Sequence, residues 1–230
     1  KLKKYLNFLD LGLQPLANNY LNKKDLKKKE KKYRLKVGIN LKTKLVSINK
    51  PISSKIMFNN KYPYRSSMSK TMIKSFVDLS KLINKRFKPG RILEIGSNDG
   101  SFIKNFSKKK VIGIEPCSNV EKITKKMGFN TYSDYWDTKT AKKILKKNGN
   151  VDLIYSANTI SHIQNLDDVF KSINIVLSND GILIIEDPSL LECLKKNSYD
   201  QFYNEHIYLF SAISVKKLLD KFDLEIFNIK

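Results

Sequence analysis

Residues 68–87 place apolar side chains at Met68, Met72, Ile73, Phe76, Val77, Leu79, Leu82, Ile83 and Phe87, a spacing that predicts one amphipathic helix ended by "KPG". From Arg91 onward the pattern changes to short apolar runs separated by helical stretches. Strands are predicted at "RILEI", "VIGIE", "FNTY", "VDLIYSA", "GILIIED" and "LEIFNI", with helices near 101–109, 118–127, 138–148, 166–178 and 212–221. Strands that are apolar on both faces and alternate with helices imply a mainly parallel sheet covered by helices, a doubly wound α/β domain. Upstream, residues 1–50 are lysine-rich, with a turn-like "LGLQPLANNYL" and a strand pair around "YRLKVGIN" and "KLVSINKP". That segment is too short to bury much core alone, and "KKDLKKKEKK" at 23–32 reads as a solvated loop or helix face.

With 230 residues, 41% hydrophobic and 10% aromatic, the chain can bury one substantial core and carry a small extra module. The expected division is a module at 1–60 and the main domain at 61–230. No apolar run approaches the roughly 18 residues that span a bilayer, and no signal-peptide core follows the charged opening. A soluble, cytoplasmic protein without a membrane partner is expected. Cys117 and Cys193 match no metal-ligand spacing and read as buried thiols rather than a disulfide framework. The chain lacks an initiator Met, so a piece of a longer protein is expected.

The net charge of +22 raises nucleic acid as a partner, since a positive surface attracts phosphates. Of the forty-four basic residues only Arg34, Arg65, Arg86 and Arg91 are arginine, the side chain suited to bidentate phosphate recognition. The balance argues against a nucleic-acid partner and for a lysine-coated solvated surface.

In doubly wound folds, ligands bind beyond the carboxyl ends of the strands, where the strand order reverses. The loop after the first of these strands, "LEIGSNDGSF", brings Glu94, Gly96, Ser97, Asn98 and Gly100 to that end. Its glycines permit a tight turn and close approach of a ligand to the backbone, yet the arrangement is not the Gly-x-Gly-x-x-Gly that packs a pyrophosphate. The next strand ends in "GIEP", where Glu115, followed by Pro116, is placed to accept both hydroxyl protons of a ribose. A glycine loop and an acidic second-strand end without a phosphate fingerprint fit S-adenosylmethionine (SAM). The alternative is that Glu115 caps the following helix and the glycines form an ordinary turn. Asp134, Tyr135 and Trp136 fall near the expected adenine position, Trp136 serving equally as a core ring. Asn158 and His162 follow the fourth strand, His162 reading as a pocket-rim or surface residue.

The strings "FLDLGLQPLANNYL", "YPYRSSMS", "LEIGSNDGSF", "GIEPCSNV" and "FYNEHIYLFS", in this order, resemble the SAM-dependent sugar C-methyltransferases that act on nucleotide-linked keto-deoxysugars. The resemblance implies a zinc-binding N-terminal module, a class I methyltransferase domain with a Rossmann-like sheet, and a C-terminal domain that helps hold the nucleotide sugar. Asn40 and Thr43 stand where a Cys-x-x-Cys pair is expected, which argues against zinc. Neither the antiparallel strand that completes such a sheet nor the C-terminal domain is found within the 230 residues, so the stretch is expected to be incomplete and its activity in question.

The resemblance also gives "YNEH" a role. Forming a carbon–carbon bond from SAM requires a carbon nucleophile, which a sugar supplies when a proton next to its ketone is removed. His206 is the expected base, Glu205 orients its imidazole or binds sugar hydroxyls, and Tyr203 hydrogen-bonds the developing enolate oxygen. Tyr62 and Tyr64 are expected to close the pocket with Ser66 and Ser67 near SAM or the sugar, or else to pack and cap a helix. A SAM-dependent enzyme for RNA or another small molecule, and a SAM-binding chain without turnover, are the alternatives. Read from the residues alone, the "YNEH" stretch is a polar loop.

Overall fold

The structure is a computed structural model that describes residues 4–230. In chain order its elements are β1 (Tyr5–Gln14), β2 (Tyr33–Asn40), β3 (Val46–Asn49), α1 (Ser54–Met57), α2 (Lys70–Arg86), β4 (Ile92–Ile95), β5 (Val111–Ile114), α3 (Ser118–Lys126), β6 (Asn130–Tyr132), α4 (Thr138–Asn148), β7 (Val151–Ala157), α5 (Leu166–Val176), β8 (Leu177–Glu186), α6 (Leu190–Lys196), β9 (Tyr208–Leu209) and α7 (Ala212–Leu219). They form two compact units. One holds the chain up to Met57 with Ser161–Gln164 and Asp187–Lys230, and the other holds Phe58–Ile160 with Asn165–Glu186. The first segment of the smaller unit ends at Met57, and the last 44 residues group with it.

The larger unit carries a five-stranded sheet in the order β6-β5-β4-β7-β8, with every pairing parallel. β4 and β5 are buried at every position, which is why "RILEI" and "VIGIE" are apolar on both faces. Burying side chains such as Ile92, Leu93 and Ile114 contributes about 1.5–3 kcal/mol each. Phe76 from α2 meets Phe102 edge-on, and Phe102 packs on Tyr155 with ring centroids 4.0 Å apart. Short polar side chains start the helices. Ser69 accepts from the Met72 amide at α2, Asp137 from Thr140 at α4 and Asn165 from Asp168 at α5. Successive strands run outward from β4 on one side and from β7 on the other, so the strand order reverses between β4 and β7.

The smaller unit carries the antiparallel sheet β1-β2-β3-β9. Its β2–β3 hairpin matches the strand pair expected from the sequence, while β9 arrives from far downstream to pair Leu209 with Val46. Val37, Val46, Cys193 and Leu209 form one apolar cluster here. Cys117 and Cys193 are both free and buried. Among the described residues no helix is long and apolar enough to cross a membrane.

Two expected elements are absent. Residues 101–109 form only a 3₁₀ turn at Ile103–Asn105, because the Asn105 side chain takes the Ser101 and Phe102 carbonyls at 3.1 and 2.9 Å and competes with helical bonding. "LEIFNI" is irregular and pairs with no strand among the described residues, and Phe227 and Ile229 stand 61% and 65% exposed. Alternation alone does not make a strand without a ladder partner.

Candidate functional site

In the larger unit the switch between β4 and β7 is bordered by backbone in the left-handed region: Gly96 (φ 77°), Asn98 (φ 46°) and Gly100 (φ 79°) after β4, and Asn158 (φ 47°) after β7. A Cβ on Gly96 would collide with the Thr159 side chain, so both the turn and the close approach require glycine. Glu115, 4% exposed at the end of β5, accepts the Asn98 amide at 3.0 Å with Oε2 and the Cys117 amide at 2.8 Å with Oε1. The Cys117 bond is a helix-cap contact, since Cys117 precedes α3. Each carboxylate oxygen has a second lone pair, so both roles read from the sequence are chemically compatible. Burial pushes the Glu115 carboxyl up, while the Cys117 and Asn98 donors and the nearby Arg65 pull it back.

Glu94 lies deeper. Burial, with Glu115 and Asp99 adding repulsion, pushes its carboxyl well above the ordinary range. Its Oε2 finds no partner among the described residues, and neither do the buried hydroxyls of Ser97 and Ser156. Unsatisfied buried polar atoms on the residues that flank the switch, together with a lone-pair-bearing carboxylate at the end of β5, fit a polar ligand with hydroxyl and ammonium groups.

The "YPYRSS" segment is tied to this turn. Asn98 Oδ1 accepts the Ser66 amide at 2.9 Å, and Asp99 Oδ2 accepts the Ser67 amide at 3.1 Å. Arg65 Nη1 donates to the Tyr62 and Tyr64 carbonyls at 2.9 and 2.8 Å, curling the segment. Tyr64 donates to Met72 Sδ at 3.0 Å, and Tyr62 packs beside Cys117 and Val120. The serine that caps α2 is Ser69 rather than Ser66 or Ser67. Tyr135 donates to the Phe58 carbonyl at 2.7 Å, and burial, reinforced by Cys117 and Glu115 nearby, raises its phenol. Trp136 is a core ring whose indole donates to the Val169 carbonyl at 3.2 Å, while Asp134 pairs with Lys143 at 2.8 Å on the exposed side. Sequence reasoning missed Asp99 and Arg65, although "NDG" and "YPYR" are both turn-forming strings.

In the smaller unit Asn204, Glu205 and His206 are all buried. His206 Nδ1 lies 3.0 Å from the Gln201 carbonyl and Nε2 lies 3.1 Å from the Tyr203 hydroxyl. A carbonyl only accepts, so Nδ1 carries the hydrogen and Nε2 presents its lone pair to the Tyr203 hydroxyl. Burial lowers the imidazole below its usual range, with the Gln201 carbonyl opposing. The neutral, basic form is therefore the one held at neutral pH. His162 stacks on this ring, and burial pushes it down to about 3 with His206 adding to the shift. Neither ring nitrogen of His206 is oriented by Glu205, whose Oε1 instead accepts from Asn18 at 2.9 Å. Gln201 and Asn18 were not legible as partners, because nothing in the spacing links them to "YNEH".

Residues 64–229 match the family described as "Methyltransferase domain". The chain belongs to this methyltransferase family. A C-methyltransferase, NovU of Streptomyces niveus, is 25% identical over 98% of this chain and 54% of its own length, so the chain spans about half of that relative. A SAM-dependent methyltransferase from Thermotoga maritima superposes with a TM-score of 0.51 at 22% identity, over 67% of this chain and 74% of that one. The plantazolicin methyltransferase BpumL, solved in complex with SAH, gives 0.54 at 16% identity, over 69% of this chain and 66% of that one. The fold is that of the class I SAM-dependent methyltransferases, as the doubly wound reading of the sequence expects.

Residues 2–58 match a second family, described as "Putative zinc binding domain". The donors do not fit that metal. The matched stretch contains no cysteine and no histidine, and structural zinc takes four thiolate or imidazole ligands. Asn40 Oδ1 instead accepts the Lys42 and Thr43 amides, both at 3.0 Å, and Lys217 Nζ donates to the Lys42 carbonyl at 2.8 Å. The β2–β3 turn is closed by side-chain hydrogen bonds.

Proposed function

We propose that this chain is part of a SAM-dependent C-methyltransferase that methylates a carbon next to the ketone of a nucleotide-linked keto-deoxysugar. The observation that carries the reading is the buried His206 imidazole with Nδ1 3.0 Å from the Gln201 carbonyl, an arrangement that leaves Nε2 as the basic nitrogen. The relative named a C-methyltransferase supports the bond type.

SAM supplies an electrophilic methyl group on a sulfonium. In this reading the Tyr203 hydroxyl turns its hydrogen from His206 Nε2 to the ketone oxygen of the bound sugar, which frees Nε2 to take the proton α to the ketone and leaves Tyr203 hydrogen-bonded to the enolate oxygen that forms. The enolate carbon forms the new bond to the methyl as the methyl–sulfur bond breaks, leaving neutral S-adenosylhomocysteine. His206 then returns its proton to solvent. Glu205 serves the sugar hydroxyls or the imidazolium charge. Glu94, Gly96, Ser97, Asn98, Gly100, Glu115, Pro116, Tyr135 and Asn158 are the proposed SAM contacts, with Tyr64 closing the site.

The test is deuterium exchange into thymidine-diphosphate-linked 4-keto-deoxysugars with S-adenosylhomocysteine present, comparing wild type with His206→Ala. Exchange next to the ketone that vanishes in the variant is expected. Histidine-independent exchange would sink the assigned base, and no exchange by a wild type that binds SAM would exclude the acceptor class.

A further inference from the structure

The opening loop of the chain reaches the "YNEH" cluster through two hydrogen bonds of opposite sense. Asn18 Nδ2 donates to Glu205 Oε1 at 2.9 Å, across 187 residues of sequence. Asn204 Nδ2 donates back to the Pro15 carbonyl at 3.2 Å, across 189 residues. Donor and acceptor alternate between the two segments, so a slip of either by one residue breaks both bonds. Asn204 and Glu205 are each 3% exposed, and a carboxylate so placed must find donors or lose its charge.

The chemistry of the donor matters. In a chain with 44 lysines and arginines, the opening loop meets Glu205 with a neutral carboxamide. An ammonium or guanidinium at that place would orient the carboxylate and also neutralise it. A carboxamide donates a hydrogen bond to it and brings no counter-charge of its own.

We infer that Asn18 is a positioning residue that fixes the Glu205 carboxylate, which makes the opening loop a working part of the proposed proton-abstraction cluster. The inference rests on the reading of Glu205 and His206 given above. It assigns "PLANN" a task that its own spacing does not announce.

Three variants test it. Asn18→Ala removes the donor and leaves space, whereas Asn18→Asp keeps the shape but sets one carboxylate against another. Asn18→His restores an N–H at about the same reach. Exchange next to the ketone should fall ~10-fold or more in the first two, the scale of one hydrogen bond to a charged group. It should recover in Asn18→His, while SAM affinity stays within twofold throughout. Exchange within twofold of wild type in Asn18→Asp, or a loss that Asn18→His does not recover, would overturn the inference. A second readout needs no turnover. The Asn18 carboxamide protons, followed by nitrogen-15 NMR of the intact protein, should exchange slowly with solvent and lose that protection in Glu205→Ala. If wild type shows no exchange at the sugar, the functional reading fails while this measurement still decides the Asn18–Glu205 contact. Unchanged carboxamide protection in Glu205→Ala would refute that contact directly.

Discussion

The rings of His162 and His206, the only two histidines of the chain, stack with centroids 5.1 Å apart and planes 26° apart. Two stacked imidazoles are compatible as neutral rings and repel as cations, so each opposes protonation of the other. Burial acts in the same direction on both. The His206 ring therefore lies against a neighbour that cannot gain charge without cost.

This pair makes stability depend on pH with a definite sign. Both folded-state values lie below the unfolded value of 6.5, so above 6.5 neither state binds the proton and the pair contributes no slope. Below that value the unfolded chain takes up protons that the folded chain refuses, and stability falls as pH drops toward about 3 for His162. One such group gives at most about 1.4 kcal/mol per pH unit, and partial exposure of His162 reduces that. Urea unfolding between pH 7.5 and 4.5 should show this decline, and His162→Phe, which keeps a stacked ring without the titrating group, should flatten it. An unchanged slope in His162→Phe would remove His162 as its source.

Glu115 is the second point of test. Its two oxygens hold the Asn98 and Cys117 amides at 3.0 and 2.8 Å, so Glu115→Gln must aim an NH₂ at one of two backbone donors. Titration calorimetry with SAM should show affinity reduced about 10- to 100-fold in both Glu115→Gln and Glu115→Ala. Wild-type affinity in either variant would mean that the carboxylate serves only the turn and the helix start.

How much of this was legible follows from which signals are local. "RILEI" and "VIGIE" are buried on both faces and read directly as central parallel strands. "LEIGSNDG" read as a ligand turn because Gly96 and Gly100 sit where positive φ is required. β1 escaped notice because its register shifts between Asn7 and Leu9 and between Asp10 and Leu13, which breaks the period of two. β9 has two residues and owes its place to β3, some 160 positions earlier, so no window of sequence contains its reason. The same holds in the candidate site. His206 was legible by type, but Gln201's carbonyl, Asn18 and the stacked His162 reach it or its neighbour only through the fold.

Asn40 predicts that the β2–β3 turn does not depend on metal. Its carboxamide takes the two amide protons of Lys42 and Thr43, and Lys217 holds the Lys42 carbonyl from α7. Asn40→Ala should cost about 1–2 kcal/mol by leaving those amides to water. Thermal unfolding of wild type should be the same with and without a strong chelator. A fall in the wild-type midpoint on chelation, with zinc released in stoichiometric amount, would show that ligands other than those of the turn hold a metal.

Glu94 gives pH dependence of the opposite sign. Its folded-state carboxyl is raised well above its ordinary value of 4.5, chiefly by burial and then by Glu115 and Asp99. Below the unfolded value both states hold the proton, and the contribution of the buried neutral acid is fully present. As pH rises past it, the unfolded chain releases a proton that the folded chain keeps, and stability is lost progressively toward the raised folded value. Glu94→Gln is isosteric and cannot ionise, so it removes this decline. Denaturant midpoints from pH 5 to pH 9 should fall for wild type on the alkaline side and stay flatter for Glu94→Gln, so that the gap in the variant's favour widens as pH rises. SAM-bound protein supplies the control. A ligand ammonium set against Glu94 Oε2 favours the ionised carboxylate, so saturating SAM should shrink the wild-type decline and leave Glu94→Gln little changed. Equal slopes for the two proteins without ligand would mean that Glu94 ionises as easily folded as unfolded, and the buried acid would have to be reassigned as a solvated one.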